Sequence, residues 1–247
     1  MNICSKIARF VLPPVCQLCG AEGLGPDICA GCFRDLPRVR HACTLCARPL
    51  ARMSGGFPAD SSPSTAVCGR CLTQRPPWHA ALAPLRYDFP VARMLQELKY
   101  EGRLLRARLL GELLGHWARR RRASIEVLLP VPLHPRRWRQ RGFNQARELA
   151  AAAGRTLRLK LVDEWCLRLK DTPPLWDLPA GQRRRVLKNA FKVADGVRGR
   201  RIALVDDVLT TGATASIITQ TLLRAGAARV EVWTIARAGL SQTGSKM

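Results

Sequence analysis

The sequence predicts a parallel-sheet α/β domain preceded by a small cysteine-rich module. Three observations lead there: eight cysteines grouped as C-x-x-C pairs within residues 16–71, an alternation of aliphatic runs with helical stripes from residue 86 onward, and a strand–loop–helix stretch at 202–215. The chain divides accordingly into an N-terminal module at 1–78, an α/β domain at 79–240 and a flexible tail at 241–247.

The 247 residues are long enough for one ordinary domain and a smaller module, and a hydrophobic fraction of 47% excludes wholesale disorder. Lys and Arg number 41 against 18 acids, a formal charge of +23 that attracts polyanions: phosphorylated metabolites, nucleic acid or an anionic surface. No apolar run approaches the roughly 20 residues needed to span a bilayer. The opening MNICSKIARFVLPP is interrupted by Lys6 and Arg9 and lacks a small-residue cleavage site, so residues 2–12 read as a short amphipathic helix and the chain is expected in the cytoplasm.

The cysteines form the pairs Cys16/Cys19, Cys29/Cys32, Cys43/Cys46 and Cys68/Cys71. Two thiolates separated by two residues curl around one ion, each pair supplying half of a tetrahedral site. Four pairs therefore make two structural Cys4 zinc sites, a double zinc ribbon. A disulfide across so short a loop would be strained. Sequential use of the pairs and an interleaved arrangement, first with third and second with fourth, both stay open. Cys4 and Cys166 stand apart and read as buried or neutral thiols. The Gly-, Ser- and Pro-rich segment 53–65 reads as a mobile loop within the second ribbon, and QRPPW (74–78) closes the module.

The α/β alternation then runs in order. RYDF (86–89) predicts a short strand. Helices follow at 91–100 and 103–118, the second with Leu105, Leu109 and Leu113 on one face. IEVLLPVP (125–132) is an apolar run ended by prolines, fitting a buried strand. FNQARELAAAAG (143–154) is a helix stopping at Gly154, AFKVAD (190–195) a strand, RIALVDD (201–207) a buried strand, 212–226 an amphipathic helix and RVEVWTIAR (229–237) a last strand. Strands alternating with helices mean a parallel sheet covered on both faces.

The stretch IALVDDVLTTGATA (202–215) carries the most chemistry. Its strand delivers Asp206 and Asp207 at the carboxyl end, where open α/β sheets bind ligands. Helix-start amides from Thr211 to Ala215, with Gly212 and Ala213 between them, can point at one anion. The hydroxyls of Thr210, Thr211 and Thr214 add donors. The acidic pair suits the vicinal hydroxyls of a ribose, so the whole describes a ribose 5-phosphate site. It is not a P-loop, because the Gly-Lys-Ser/Thr ending is absent.

This stretch resembles the phosphoribosyl pyrophosphate motif of type I phosphoribosyltransferases. PVPLHPRR (130–137) resembles the loop that holds pyrophosphate in that fold, and RWRQRGFNQA (137–146), basic and aromatic, fits a flexible loop closing over substrate. From the ribbon through LKYEG, PVPLHP, RGFNQA, DTPP, AFKV and VDDVLTTGAT, roughly residues 12–237, the chain resembles the ComF family, including its GntX-like members. Two positions depart from the family pattern: Leu175 stands where Gln is expected after DTPP, and Val186 where Asn is expected before AF.

The resemblance implies a phosphoribosyltransferase-type domain binding phosphoribosyl pyrophosphate with magnesium, linked to DNA uptake and to DNA-uptake proteins in bacteria. Asp206 and Asp207 would hold the ribose, Thr210, Thr211, Gly212, Ala213 and Thr214 the phosphate, and Lys99, Arg137 and Arg141 the leaving pyrophosphate. An active protein of this kind would be a magnesium-dependent glycosyltransferase. The alternative is a non-catalytic accessory protein that binds single-stranded nucleic acid. It is motivated by the charge, by the runs Arg119–Arg122 and Arg183–Arg185, and by Trp138 and Phe143 set among Arg136, Arg137, Arg139 and Arg141.

Overall fold

In the structure, a computed structural model, residues 15–21, 27–50, 66–171 and 190–239 are described. The expected helix at 2–12, Cys4, the loop at 53–65, Leu175, Val186, Arg183–Arg185 and the tail at 241–247 lie outside them. The α/β class expected from the alternation is what the structure shows. One parallel sheet has the order β1-β8-β7-β3-β4, with β1 Ala80–Leu82, β3 Val127–Pro130, β4 Lys160–Leu161, β7 Arg201–Leu209 and β8 Arg229–Arg237. Strand β2 (Leu85–Arg86) also pairs with β8. Parallel strands need crossovers, and the long aliphatic runs of β7 and β8 are buried in the middle of the sheet, as their composition demands.

Period-two alternation sorts the strand residues between two cores. Leu128, Ala203, Val205, Trp233 and Ile235 face one side, under helices α3 (Val91–Glu101), α4 (Leu104–Ala118) and α6 (Gln145–Leu157). Val127, Leu129, Ile202, Leu204, Val230 and Val232 face the other, with Ala215, Ile218 and Leu222 of α7 (Ala213–Arg224). The ribbons are not appended to this body. Cys16, Ile28 and Leu36 join the first core, and Ala47 and Trp78 join the second. The stretch between the ribbons pairs along β2, with Val39 N–H donating to the Pro84 carbonyl and Arg86 N–H to that of Pro37, each at 2.8 Å.

The first ribbon is also clamped by charge. Glu97 of α3, only 5% exposed, accepts from Arg93 Nε and Arg106 Nε at 2.9 and 2.8 Å, and Arg106 also donates to the Gln17 carbonyl. Burial alone would raise the Glu97 carboxyl; these guanidinium groups outweigh it and hold it below the usual range. Arg108 reaches Asp27 at 2.9 Å.

Several expectations need correction. AFKV is a strand as expected but does not enter the main sheet: β6 (Phe191–Val193) pairs antiparallel with β5 (Cys166–Arg168), a partner too short to announce itself in the sequence. RYDF contributes only its first residue to β2, because Tyr87–Pro90 turn into α3. Leu105, placed by periodicity on the apolar face of α4, is exposed in its first turn. Helix α6 does not stop at Gly154. It runs to Leu157 and ends on Arg158 at φ 54, and Gly154 instead admits the Leu159 carbonyl, which a Cβ there would meet at 3.0 Å. The basic segment 137–146 is not a loop throughout: α5 (Pro135–Arg141) is a helix, with His134 as cap, Pro135 at its first position and Gly142 at φ 80 as its stop.

Helices α4 and α6 meet at backbone distance. A Cβ on Gly111 would lie 2.5 Å from the Leu149 carbonyl oxygen and 2.6 Å from the Ala152 Cβ, and one on Gly115 would lie 2.8 Å from the Thr156 Cβ. Gly111→Ala is expected to destabilise the protein by roughly 1–2 kcal/mol in denaturant unfolding. A helix-propensity gain of about 1 kcal/mol is outweighed by the clash with a fixed carbonyl.

Candidate functional site

The carboxyl ends of β3 and β7 open into a cleft of about 970 Å³. Strand β7 carries Asp206 and Asp207 near its carboxyl end, two residues before it gives way to the turn Thr210–Gly212 and helix α7. Gly212 caps α7 at φ 78, and a Cβ on it would come 2.7 Å from the Trp78 ring, so both its conformation and its surroundings require glycine. The first helical hydrogen bond runs from Ser216 N–H to the Gly212 carbonyl, 2.8 Å. The amides of Thr214 and Ala215, in the same first turn, thus have no acceptor within the helix. Ala213 N–H is turned toward Thr211 Oγ1 at 3.4 Å.

The floor of the cleft is acidic and only partly compensated. Asp207 is buried and ion-paired with Lys99, which the last turn of α3 delivers. Its own N–H donates to Asp206 Oδ1 at 2.9 Å. Burial first, and then the neighbouring Asp207 charge, push the Asp206 carboxyl well above its ordinary value. Burial would lower Lys99, but Asp207 and Asp206 raise it above its ordinary value, so it stays charged. One ammonium between two crowded carboxyls leaves the floor less negative than two free aspartates, which eases the approach of a phosphorylated ligand.

Cations stand along the wall. Arg141 donates to Gln145 Oε1 at 2.6 Å and lies 6.0 Å over the Tyr100 ring, and Arg137 is 3.8 Å from Asp171. Asn144 caps α6, its Oδ1 accepting from Ala146 N–H, while its Nδ2 donates to the Val131 carbonyl at 3.1 Å. That bond pins the start of α6 to the end of β3. The ten residues singled out from sequence (Lys99, Arg137, Arg141, Asp206, Asp207 and Thr210–Thr214) all line this one cleft. Arg103, just past the end of α3, lies outside the cleft and pairs with Glu101 at 2.9 Å. Arg168 was missed. It lines the cleft from β5, where burial, then the Arg137 charge, lower its pKa from the ordinary value. A lone Arg in a three-residue strand carries no sequence signal.

The cysteines group sequentially: Cys16, Cys19, Cys29 and Cys32 in one foursome, Cys43, Cys46, Cys68 and Cys71 in the other, with all ligand atoms of each within 4.8 Å. The Cys19–Cys29 and Cys46–Cys68 sulfur separations are 3.8 and 3.6 Å. A tetrahedron with Zn–S bonds of about 2.3 Å requires roughly 3.8 Å, so the donor set fits zinc in type, number and size. Backbone N–H groups point at the sulfurs, Cys32 N–H to Cys29 Sγ at 3.4 Å and Cys68 N–H to Cys43 Sγ at 3.3 Å. Cys166 is buried away from both, and burial pushes its thiol up to about 12.

A family model described as a double zinc ribbon domain matches residues 7–72. Over 235 residues the chain is 36% identical to the DNA utilization protein YhgH of Escherichia coli K12, covering 92% of this chain and 99% of that one. It belongs to the ComF family. Two further relatives of this ComF chain are Competence protein F of Haemophilus influenzae, 37% identical over 85% of this chain and 90% of its own, and Competence protein ComFC of Bacillus subtilis, 27% identical over 87% and 86%. Among solved structures, a phosphoribosylpyrophosphate synthetase from Mycobacterium smegmatis overlays 51% of the ComF chain at TM-score 0.33 and 17% identity. The ComF chain spans about a third (32%) of that enzyme's length. A purine phosphoribosyltransferase from Pyrococcus horikoshii overlays 52% of this chain and 80% of its own at TM-score 0.32 and 13% identity. No helix among the described residues is long and apolar enough to cross a membrane.

Metal analysis of the purified ComF chain is expected to return two zinc ions per molecule. Cys19→Ser and Cys71→Ser should each leave one, because each removes a ligand from a different foursome.

Proposed function

We propose that this protein binds phosphoribosyl pyrophosphate, together with magnesium, in the cleft between β3 and β7, and that it serves DNA uptake or utilisation. The observation that carries the reading is the placement of Asp206 and Asp207 beside a glycine-led helix start at the floor of one basic cleft. The 5-phosphate takes the amides of Thr214 and Ala215 and the hydroxyls around them. The carboxyls accept from the ribose diol, and Lys99, Arg137 and Arg141 face the pyrophosphate. Magnesium, when bound with the ligand, would offset charge gathering on the pyrophosphate. Displacement of that group from the anomeric carbon by a nucleophile, which takes the phosphoribosyl group while pyrophosphate leaves, would make the protein a transferase, with the fixed cations stabilising the leaving charge. The link to DNA rests on relatives named as competence and DNA utilization proteins.

Calorimetric titration of the zinc-loaded protein with phosphoribosyl pyrophosphate and magnesium tests this. The Asp206→Ala/Asp207→Ala double variant is expected to weaken binding about tenfold or more, a loss of about 1.4 kcal/mol at the least. Absence of heat with the unaltered protein would sink the proposal.

A second reading, capture of single-stranded nucleic acid, is favoured by one feature. Trp138 and Tyr100 are 53% and 78% exposed, on or beside the arginine-rich helix α5. Such rings stack on unpaired bases while arginines follow the backbone. Affinity for a single-stranded oligonucleotide is expected to fall by more than about tenfold between 50 and 200 mM salt, and to drop in Trp138→Ala. Binding indifferent to both would remove this reading.

A further inference from the structure

Two buried side chains that do not line the cleft hold the loop Leu209–Gly212 from behind. Arg237 closes β8. Its Nη1 donates to the carbonyls of Leu209 and Thr210, each at 2.6 Å, and to that of Ala238, while its Nε donates to the Cys46 carbonyl at 2.9 Å. Trp78 lies with its ring against Gly212, and its Nε1 donates to the Leu45 carbonyl at 2.5 Å. Ala81 N–H of β1 donates to the Thr44 carbonyl at 2.9 Å. Three successive carbonyls of the turn between Cys43 and Cys46 are thus each taken by a different group: Ala81 and Arg237 of the α/β domain, and Trp78 at the close of the N-terminal module. Two of those groups, Arg237 and Trp78, touch the loop directly.

We infer that the second cysteine foursome is a positioning element of the phosphate loop, acting through Arg237 and Trp78. The turn that offers these carbonyls is closed by Cys43 and Cys46, and a metal ion is what holds four crowded thiolates in one place. A planar guanidinium gripping carbonyls on both sides passes a displacement of the turn directly to Leu209 and Thr210. Among the described residues the first foursome has no comparable route: its polar links, Arg106 to Gln17 and Arg108 to Asp27, run to α4. The inference deepens the reading of the loop as a phosphate site, and it can be tested with no ligand present.

Hydrogen exchange of the full-length, zinc-loaded protein is the experiment, with amides 202–205 of β7 as the internal standard. Cys71→Ser is expected to lose one zinc and to exchange amides 209–215 at least tenfold faster. Cys19→Ser should also lose one zinc yet leave those amides within twofold. Because Cys71→Ser could disturb folding more widely, Arg237→Met provides the second arm. It is expected to keep both zinc ions and the protection of 202–205 while showing the same faster exchange at 209–215. Affinity for phosphoribosyl pyrophosphate should fall about tenfold in Arg237→Met with zinc content unchanged. Loop protection equal to the unaltered protein in Arg237→Met, or an equal rise in Cys19→Ser, would overturn the inference. Failure of the unaltered protein to bind the ligand would defeat the functional reading alone, leaving exchange to decide this one.

Discussion

Strand β7 is hydrogen-bonded on both edges, to β3 and to β8, and is buried along most of its length. Pairing in parallel fixes where all three strands end, so the chemistry at their carboxyl ends is set by register. Asp206 stands beside Thr234 of β8 in that register, and Leu209 beside Arg237. The acidic pair, the turn into α7 and the arginine behind that turn are therefore consequences of one ladder. A one-residue slip would move every β7 side chain to the opposite face and exchange the two cores.

The charge of the molecule is organised around this ladder. A formal +23 would be a liability for a compact chain unless much of it were spread outward. Inside, each buried charge is answered locally. Glu97 is met by two arginines, Glu231 by Arg121 and Arg229 with the Trp233 indole, and Asp207 by Lys99. Arg237 is the different case, buried against backbone carbonyls, with burial lowering its pKa from the ordinary value. Carbonyl dipoles in fixed positions do for it what a carboxylate does elsewhere, and they dictate its orientation more tightly.

Much of this was legible in the residues. The long aliphatic strands β7 and β8 and the helices α3, α4 and α7 declare themselves by periodicity. The loop at 205–215 declares itself by an acidic pair followed by Thr and Gly. The C-x-x-C spacing gave the metal sites but not their pairing, since spacing within a pair says nothing about which pairs meet. What stayed hidden depends on distant partners. Strands β1 and β4, of three and two residues, exist because β8 and β3 offer edges to them. Gly154 looked like a helix stop because a glycine's need for space and its need for unusual dihedrals read alike in sequence. Helix α5 was available in principle: Pro135 and Gly142 bracket it, but its density of arginines suggested a loop. Arg168 and Arg237 gave no local sign at all.

The two ribbons contribute Cys16, Ile28 and Leu36 to one side of the sheet, and Ala47 and Trp78 to the other. A fragment starting near residue 79 would strip Leu85 of its bridge to Arg38, bare the Glu97–Arg106 pair and leave Arg237 facing an empty socket. The α/β body and its metal modules therefore share one interior, and cutting between them would leave each part with apolar and charged surface that the other now covers.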